Sequence, residues 1–124
     1  MNKYAAAVNC IDGRVQEPVI RFLKKNFGVD YVDMITESGP DKIIAENTEK
    51  FRVSSVKQRL EISVRQRGAR VILIAGHEHC SGNPVSKDKH VAHILNAAAT
   101  IRNWFPEAEI IPAWIDGHWN VEPL

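Results

Sequence analysis

The stretch Arg70-Val71-Ile72-Leu73-Ile74-Ala75 is the most strand-like run of the chain, and it decides the fold. Its apolar residues follow one another without alternation, which is typical of a strand covered on both faces at the centre of a parallel sheet. The run ends in Gly76-His77, and a polar segment containing Cys80 follows. A buried strand therefore delivers potential metal ligands at its carboxyl end.

Strands and helices alternate on either side of this run. Apolar runs predict further strands over Tyr4–Val8, Val29–Ile35 and Glu109–Ile115, and a short closing strand over Trp119–Glu122 after the turn at Asp116-Gly117. Helical spacing of apolar residues predicts helices over Val15–Phe27, Thr48–Gln66 and Asp88–Phe105. The segment Thr36–Pro40 is predicted to be a loop, and the last helix is predicted to bury Val91, Ile94, Leu95, Ala98 and Ile101.

This alternation predicts an α/β fold in which helices cover both faces of a mostly parallel sheet, a three-layer α/β/α arrangement. The expected strand order is 2-1-3-4, with the closing strand as an antiparallel edge. In that order the crevice outside the carboxyl ends of strands one and three is the switch point where such folds bind ligands. At 124 residues and 44% hydrophobic content, the chain is expected to form one domain over residues 1–124.

The charge pattern narrows the classes of partner. Sixteen basic and fifteen acidic residues give a formal charge of +1 without long blocks of either sign, which argues against a nucleic-acid surface or a membrane anchor. No apolar stretch is long enough to predict a membrane span or a leader peptide, so a cytoplasmic protein with a small-molecule substrate is expected. A disulfide between the two cysteines would require an oxidising compartment.

The two cysteines instead suggest a metal site. Cys10 follows the first strand, and His77 and Cys80 follow the third, so neighbouring strands would bring them together. Two thiolates and one imidazole suit zinc, and three protein ligands with one open position are typical of a catalytic site. Asp12 and Arg14, two residues apart on a segment expected to be extended, would pair with each other beside the metal. If Asp12 took the fourth position instead, the site would be closed.

The pattern Cys10-x-Asp12-x-Arg14, followed by His77-x-x-Cys80, resembles the zinc site of the β-class carbonic anhydrases. The resemblance covers most of the chain and implies that Zn²⁺ is bound by Cys10, His77 and Cys80. It further implies that Asp12 alternates between zinc and Arg14, and that zinc-bound hydroxide reversibly hydrates CO₂ to bicarbonate, the activity of a carbonate dehydratase lyase. It also implies a homodimer or a higher homo-oligomer. Gly13 departs from the serine usual there, and Thr36-Glu37-Ser38-Gly39 departs from the family's Arg-Asn-Ala-Gly-like segment.

Three alternatives remain open from the sequence. A non-catalytic zinc protein would have Asp12 closing the site, and a hydrolase of carbonyl sulfide or carbon disulfide would use the same metal chemistry. Thiol redox chemistry between Cys10 and Cys80 would need no metal.

Some other polar residues could belong to the site. His79 is either a proton shuttle, an alternative ligand or an exposed loop residue. Thr36, Glu37 and Ser38 could border the open metal position. His90 and His93, three apart on a helix, are expected to be solvated surface residues.

Overall fold

The computed structural model describes residues 2–124 and contains a five-stranded sheet between helices. The strands are β1 (Tyr4–Cys10), β2 (Tyr31–Glu37), β3 (Val71–His77), β4 (Glu109–Ile115) and β5 (Val121–Pro123). The helices are α1 (Gly13–Phe27), α2 (Pro40–Glu46), α3 (Lys50–Glu61) and α4 (Lys87–Trp104), and a π-helical turn, Ile62–Gln66, continues α3. None of the helices among residues 2–124 has the length and apolar character needed to cross a bilayer.

The strand order is β2-β1-β3-β4-β5, which confirms the order predicted from the sequence. The first four strands are parallel, and β5 pairs antiparallel with β4. Because β1 lies between β2 and β3, the chain leaves the sheet in opposite directions from β1 and β3. The carboxyl ends of these two strands therefore border one crevice.

Two apolar layers hold the sheet in place. One face of the sheet packs against α1 through Val15, Val19 and Leu23. The other face packs against α3 and α4, where Leu60, Ile101 and other fully buried residues meet the strands. Successive residues of a strand contribute to the two layers in turn. Both faces of β3 are covered in this way, which explains why the strand is apolar along its length.

The structure corrects three details of the sequence interpretation. Thr36 and Glu37 belong to β2 rather than to a loop, and α2 begins at Pro40, where only a loop was predicted. Helix α2 is seven residues long, too short to give a periodic apolar signal, and its proline at the first position is one that helices tolerate. Residues Ile62–Gln66 form a π turn because the amide of Arg67 bonds the carbonyl of Ile62, five residues back.

The buried face of α4 also differs from the prediction. Leu95 is 46% exposed, and the buried positions are His90, Ile94, Ala97, Ala98 and Ile101. These buried positions follow helical spacing, but the first of them is a histidine. A pattern that counts only apolar residues omits His90 and therefore assigns the buried face of α4 to a partly different set of residues. His90 is 1% exposed, and its prediction as a solvated residue was wrong.

Candidate metal centre

The ends of β1 and β3 bring three potential metal ligands together. Cys10 is the last residue of β1, His77 is the last residue of β3, and Cys80 lies in the turn three residues later. One donor atom from each of them lies within 4.8 Å of the other two, and all three residues are buried. They are the only such group of three among residues 2–124.

The distance between the two sulfur atoms fits a shared metal ion. Cys10 Sγ and Cys80 Sγ are 3.8 Å apart. Two sulfurs bound to one tetrahedral zinc ion at about 2.3 Å each would be separated by about 3.8 Å. A disulfide requires about 2.05 Å, so the two sulfurs are far outside that bond length. The two thiols are therefore free in this structure, at a separation that a shared zinc ion would also require.

His77 is oriented for the same role. Its Nδ1 donates a hydrogen bond to the carbonyl of Glu78 at 2.7 Å, which leaves Nε2 as the free donor atom of the ring. Nε2 is buried and has no hydrogen-bond partner within residues 2–124. A buried nitrogen without a partner costs free energy, and a metal ion would satisfy it. Two thiols and this nitrogen form a donor set that fits Zn²⁺.

The protonation states of the two thiols depend on each other. Cys80 Sγ donates to Cys10 Sγ, and this hydrogen bond outweighs the effect of burial and lowers the pKa of Cys10 to about 4. The same bond, followed by burial, raises the pKa of Cys80. These opposite shifts describe a pair that loses one proton readily and retains the other, and a divalent cation would displace the retained proton. For His77, burial opposes protonation, but the neighbouring Cys10 sulfur and the hydrogen bond to the Glu78 carbonyl together raise its pKa.

Asp12 and Arg14 form a bidentate pair beside these donors. Arg14 Nε donates to Asp12 Oδ1 at 3.0 Å, and Arg14 Nη2 donates to Asp12 Oδ2 at 2.7 Å. The hydrogen bond from Arg14 lowers the pKa of Asp12 to about 2, so the carboxylate is ionised at neutral pH. Both carboxylate oxygens are therefore engaged by Arg14.

The pair was expected on an extended segment, but Arg14 already belongs to the first turn of α1. Asp12 is the N-cap of that helix and accepts a hydrogen bond from the Arg14 amide at 2.9 Å. Arg14 itself is held in place by Trp119, whose ring centre lies 4.7 Å from the guanidinium carbon, and by the carbonyl of His79. Trp119 was predicted to begin the closing strand, but it precedes β5 and packs against Arg14 instead.

The loop after β3 has an unusual backbone. His79 has a positive φ of 57°, a conformation that costs a residue with a side chain about 1–2 kcal/mol. This turn returns the chain so that Cys80 faces Cys10. A hollow of about 370 Å³ opens beside Cys80 and is lined by Glu78, His79 and Pro84, among others. A larger cavity of about 760 Å³ lies at the other end of the sheet, near Lys3 and Arg70, and contains none of these donors.

The residues that were predicted to border the open metal position have other neighbours in the structure. Glu37 lies opposite Cys10 in the register of β1 and β2, but its carboxylate pairs with Arg59 at 2.7 Å. Ser38 lies against Gly82, in the loop that carries Cys80. A buried hydrogen-bonded group formed by Asp41, Asn83 and His90 was missed altogether. Its only sequence signal was the place of His90 in the helical spacing of α4.

Comparisons with known proteins are consistent with the geometry of this site. A family model described as "Putative carbonic anhydrase" matches residues 1–124. The chain belongs to this family. No curated protein shows significant sequence similarity to the chain.

Two solved structures share the fold of this carbonic anhydrase family member. The β-carbonic anhydrase isoform I of the protozoan Trichomonas vaginalis superposes with a TM-score of 0.66 at 18% identity, over 99% of this chain and 85% of that one. The β-carbonic anhydrase CafA of the fungus Aspergillus fumigatus gives a TM-score of 0.55 at 14% identity, over 99% of this chain and 75% of that one. The resemblance to β-class carbonic anhydrases inferred from the two cysteine motifs is confirmed.

Proposed function

We propose that the protein is a zinc-dependent lyase that reversibly hydrates CO₂ to bicarbonate, with Zn²⁺ held by Cys10, His77 and Cys80. The observation that carries this proposal is the convergence of the three donors at the ends of β1 and β3, with the sulfurs 3.8 Å apart. Membership of the carbonic anhydrase family supports the choice of reaction. When bound, zinc supplies a Lewis acid that makes a water molecule nucleophilic at neutral pH.

Asp12 and Arg14 would act on the substrate side of the site. Arg14 holds the Asp12 carboxylate ionised and paired with its own guanidinium, which would leave the fourth metal position free. Asp12 would accept a hydrogen bond from the reacting water and orient it for attack. The guanidinium of Arg14, fixed by Trp119, would lie close to the anionic product.

The non-catalytic alternative requires Asp12 to bind the metal itself. That would break the bidentate pair with Arg14 and remove the N-cap bond to the Arg14 amide. The observed pairing favours the open site and therefore a catalytic role. Carbonyl sulfide and carbon disulfide stay as alternative substrates because the same donors would serve for them.

Stopped-flow CO₂ hydration across pH tests the proposal. The zinc-loaded protein should accelerate hydration, and Cys80→Ser should lose both zinc and activity. Arg14→Ala should lower the rate by about 10²-fold, within the usual range for groups that position a proton acceptor. Arg21→Ala is the matched control because Arg21 lies on the same helix and also pairs with a carboxylate, Glu17.

Zinc-loaded protein without CO₂ hydration at any pH would contradict the proposed reaction. Activity on carbonyl sulfide or carbon disulfide in that same preparation would transfer the proposal to those substrates.

We propose that the protein forms a homodimer through the free edge of β2. Within residues 2–124 this strand pairs only with β1, and exposed apolar residues border it: Tyr31 is 50% exposed and Ile11 is 66% exposed. An unpaired strand edge is a template for pairing with a second chain. Light scattering should give about twice the chain mass of 14.0 kDa. Tyr31→Asp should reduce it to the mass of one chain, whereas Leu124→Asp at the opposite edge should not.

We further propose a reducing compartment, the cytoplasm, as the protein's location. Both cysteines are free thiols, and the donor set requires both of them to be reduced. Fractionation of cells producing the tagged protein would test this location. Recovery in an oxidising compartment with Cys10 and Cys80 joined would contradict it.

A further inference from the structure

A buried polar cluster lies behind the metal centre. It consists of Asp41 on α2, His90 on α4 and Asn83 in the loop after Cys80, which are at most 1% exposed. His90 Nδ1 donates to Asp41 Oδ2 at 2.7 Å, and Asn83 Nδ2 donates to the same oxygen at 3.2 Å. The second hydrogen of the Asn83 amide reaches His93 Nδ1 at 3.0 Å. One carboxylate oxygen therefore joins three separate segments of the chain.

The cluster is costly to bury. Asp41 Oδ1 and Asn83 Oδ1 are buried and have no hydrogen-bond partner within residues 2–124. Each such oxygen costs about 1–3 kcal/mol, and apolar residues of similar volume would often be more stable. A functional role of this cluster, rather than a contribution to stability, would explain its presence.

Two of the backbone segments in contact with this cluster carry metal donors. Asn83 lies three residues after Cys80. Gly76 immediately precedes His77, and a Cβ atom at Gly76 would lie 2.6 Å from Asp41 Oδ2 and 2.9 Å from His90 Nδ1. The cluster therefore packs directly on the backbone at the end of β3 and holds the loop of Cys80 from the other side.

The two segments joined by Asp41 and Asn83 also touch each other directly. A Cβ atom at Gly39, two residues before Asp41, would lie 2.8 Å from the backbone carbon of Gly82, in the loop that carries Cys80. The hydrogen bond between Asn83 and Asp41 therefore links α2 to the Cys80 loop at a point where their backbones are already in contact.

We propose that Asp41 is a positioning residue of the metal centre, which acts through Asn83 and His90 to fix the segments that carry Cys80 and His77. This inference rests on the proposed zinc site. Partners that orient ligands in this way typically contribute 10–100-fold, roughly, to metal affinity. Asp41 itself is not one of the three grouped donors and does not line the hollow beside Cys80.

The test is a comparison of zinc affinities, measured by chelator competition, with the absorption spectra of the Co²⁺-substituted proteins. Asp41→Leu, which removes both acceptor oxygens, and His90→Leu should raise the zinc dissociation constant by about 10–100-fold and should shift the cobalt bands, because the donor geometry relaxes. His90→Asn should stay close to the parent protein because its side-chain amide can donate to Asp41 in place of Nδ1.

Ile101→Ala is the control for a merely structural effect, since Ile101 is fully buried at the far end of the same helix. It should lower the stability of the fold and leave zinc affinity and the cobalt spectrum unchanged. Circular dichroism establishes that each variant is folded, and the two His90 variants test the inference even if Asp41→Leu does not fold.

Two results would overturn the inference while leaving the zinc site intact. One is a parent-like zinc affinity and cobalt spectrum in both Asp41→Leu and His90→Leu. The other is an equal loss of affinity in Ile101→Ala, which would reduce the effect to general destabilisation. A parent protein that binds no zinc would instead overturn the proposed function, and this inference with it.

Discussion

At the scale of single residues, Asp12 has two separable roles. Its side chain caps α1 by accepting from the Arg14 amide, and it forms the bidentate pair with the Arg14 guanidinium. Asparagine is as good an N-cap as aspartate but cannot form the charged pair, and alanine can do neither. The two substitutions therefore distinguish the structural contribution of Asp12 from the catalytic one.

We expect Asp12→Asn to keep the free energy of unfolding close to that of the parent and Asp12→Ala to lower it by about 1 kcal/mol, the usual value of a helix cap. Urea unfolding in the presence of a chelator measures this difference without a contribution from metal binding. Both variants should lose CO₂ hydration. Equal destabilisation by the two substitutions would contradict the capping role.

Some single residues of the candidate site could be predicted from the sequence, and others could not. Cys10, His77 and Cys80 could be found because each follows a recognisable apolar strand. Asp41 and His90 could not, since a buried polar pair is defined by contacts between α2 and α4 that have no local pattern. The N-cap role of Asp12 was missed because α1 begins earlier than its first apolar residue, Val15.

At the scale of elements, the start of α2 depends on a close approach of two glycines. Gly39 has a φ of 66°, and a Cβ atom there would lie 2.8 Å from the backbone carbon of Gly82 in the Cys80 loop. A side chain at Gly39 would therefore meet both backbone strain and a clash. The loop that carries Cys80 can reach Cys10 only if this contact is kept.

Gly39→Ala should lower the free energy of unfolding by about 2–4 kcal/mol, combining left-handed strain with overpacking. Gly68→Ala is the matched control, because Gly68 has a φ of 75° but no atom within 4 Å of an added Cβ. It should cost only about 1–2 kcal/mol of strain. Equal losses in urea unfolding would show that the approach of Gly39 to Gly82 is not tight.

The turn between β4 and β5 gives a prediction for pH. Asp116 accepts hydrogen bonds from the amides of Asn120 at 3.0 Å and His118 at 2.9 Å, and these lower its pKa. A lowered pKa in the folded state means that the carboxylate stabilises the turn above its unfolded pKa of about 3.9. That stabilisation is lost as the pH falls through the lower folded value.

The amide resonance of Asn120 should therefore titrate in acid with a midpoint below about 3.9. Asp116→Asn should abolish this titration while keeping an oxygen that can accept the same bonds. A midpoint at or above that of a free aspartate would contradict the role of Asp116 in the turn.

The elements themselves were predicted as far as their apolar patterns reach. Strands β1 to β4 and the helices α1, α3 and α4 have periodic or continuous apolar runs, and β5 was predicted from the turn at Asp116-Gly117. Helix α2 and the π turn after α3 lack such signals. The start of α2 depends on the tertiary contact of Gly39 with Gly82, and the π turn is defined by the local bond from the Arg67 amide to the Ile62 carbonyl.

At the scale of the whole molecule, the sheet order accounts for the position of the candidate site. Parallel pairing of β1 with both β2 and β3 places Cys10 beside the end of β3, although the two cysteines are 70 residues apart in the chain. Helix α1 and the loop after β3 then fold over this end of the sheet. Family membership and the shared fold are consistent with this arrangement.

The central claim is that one metal ion joins the two sulfurs and the imidazole. Zinc K-edge X-ray absorption of the purified protein, with its zinc content, tests this claim most directly. The account predicts one zinc per chain with two sulfur neighbours at about 2.3 Å and nitrogen or oxygen neighbours at about 2.0–2.1 Å, and the loss of bound zinc in Cys80→Ser. Protein without zinc after purification under reducing conditions, or zinc with fewer than two sulfur neighbours, would contradict it.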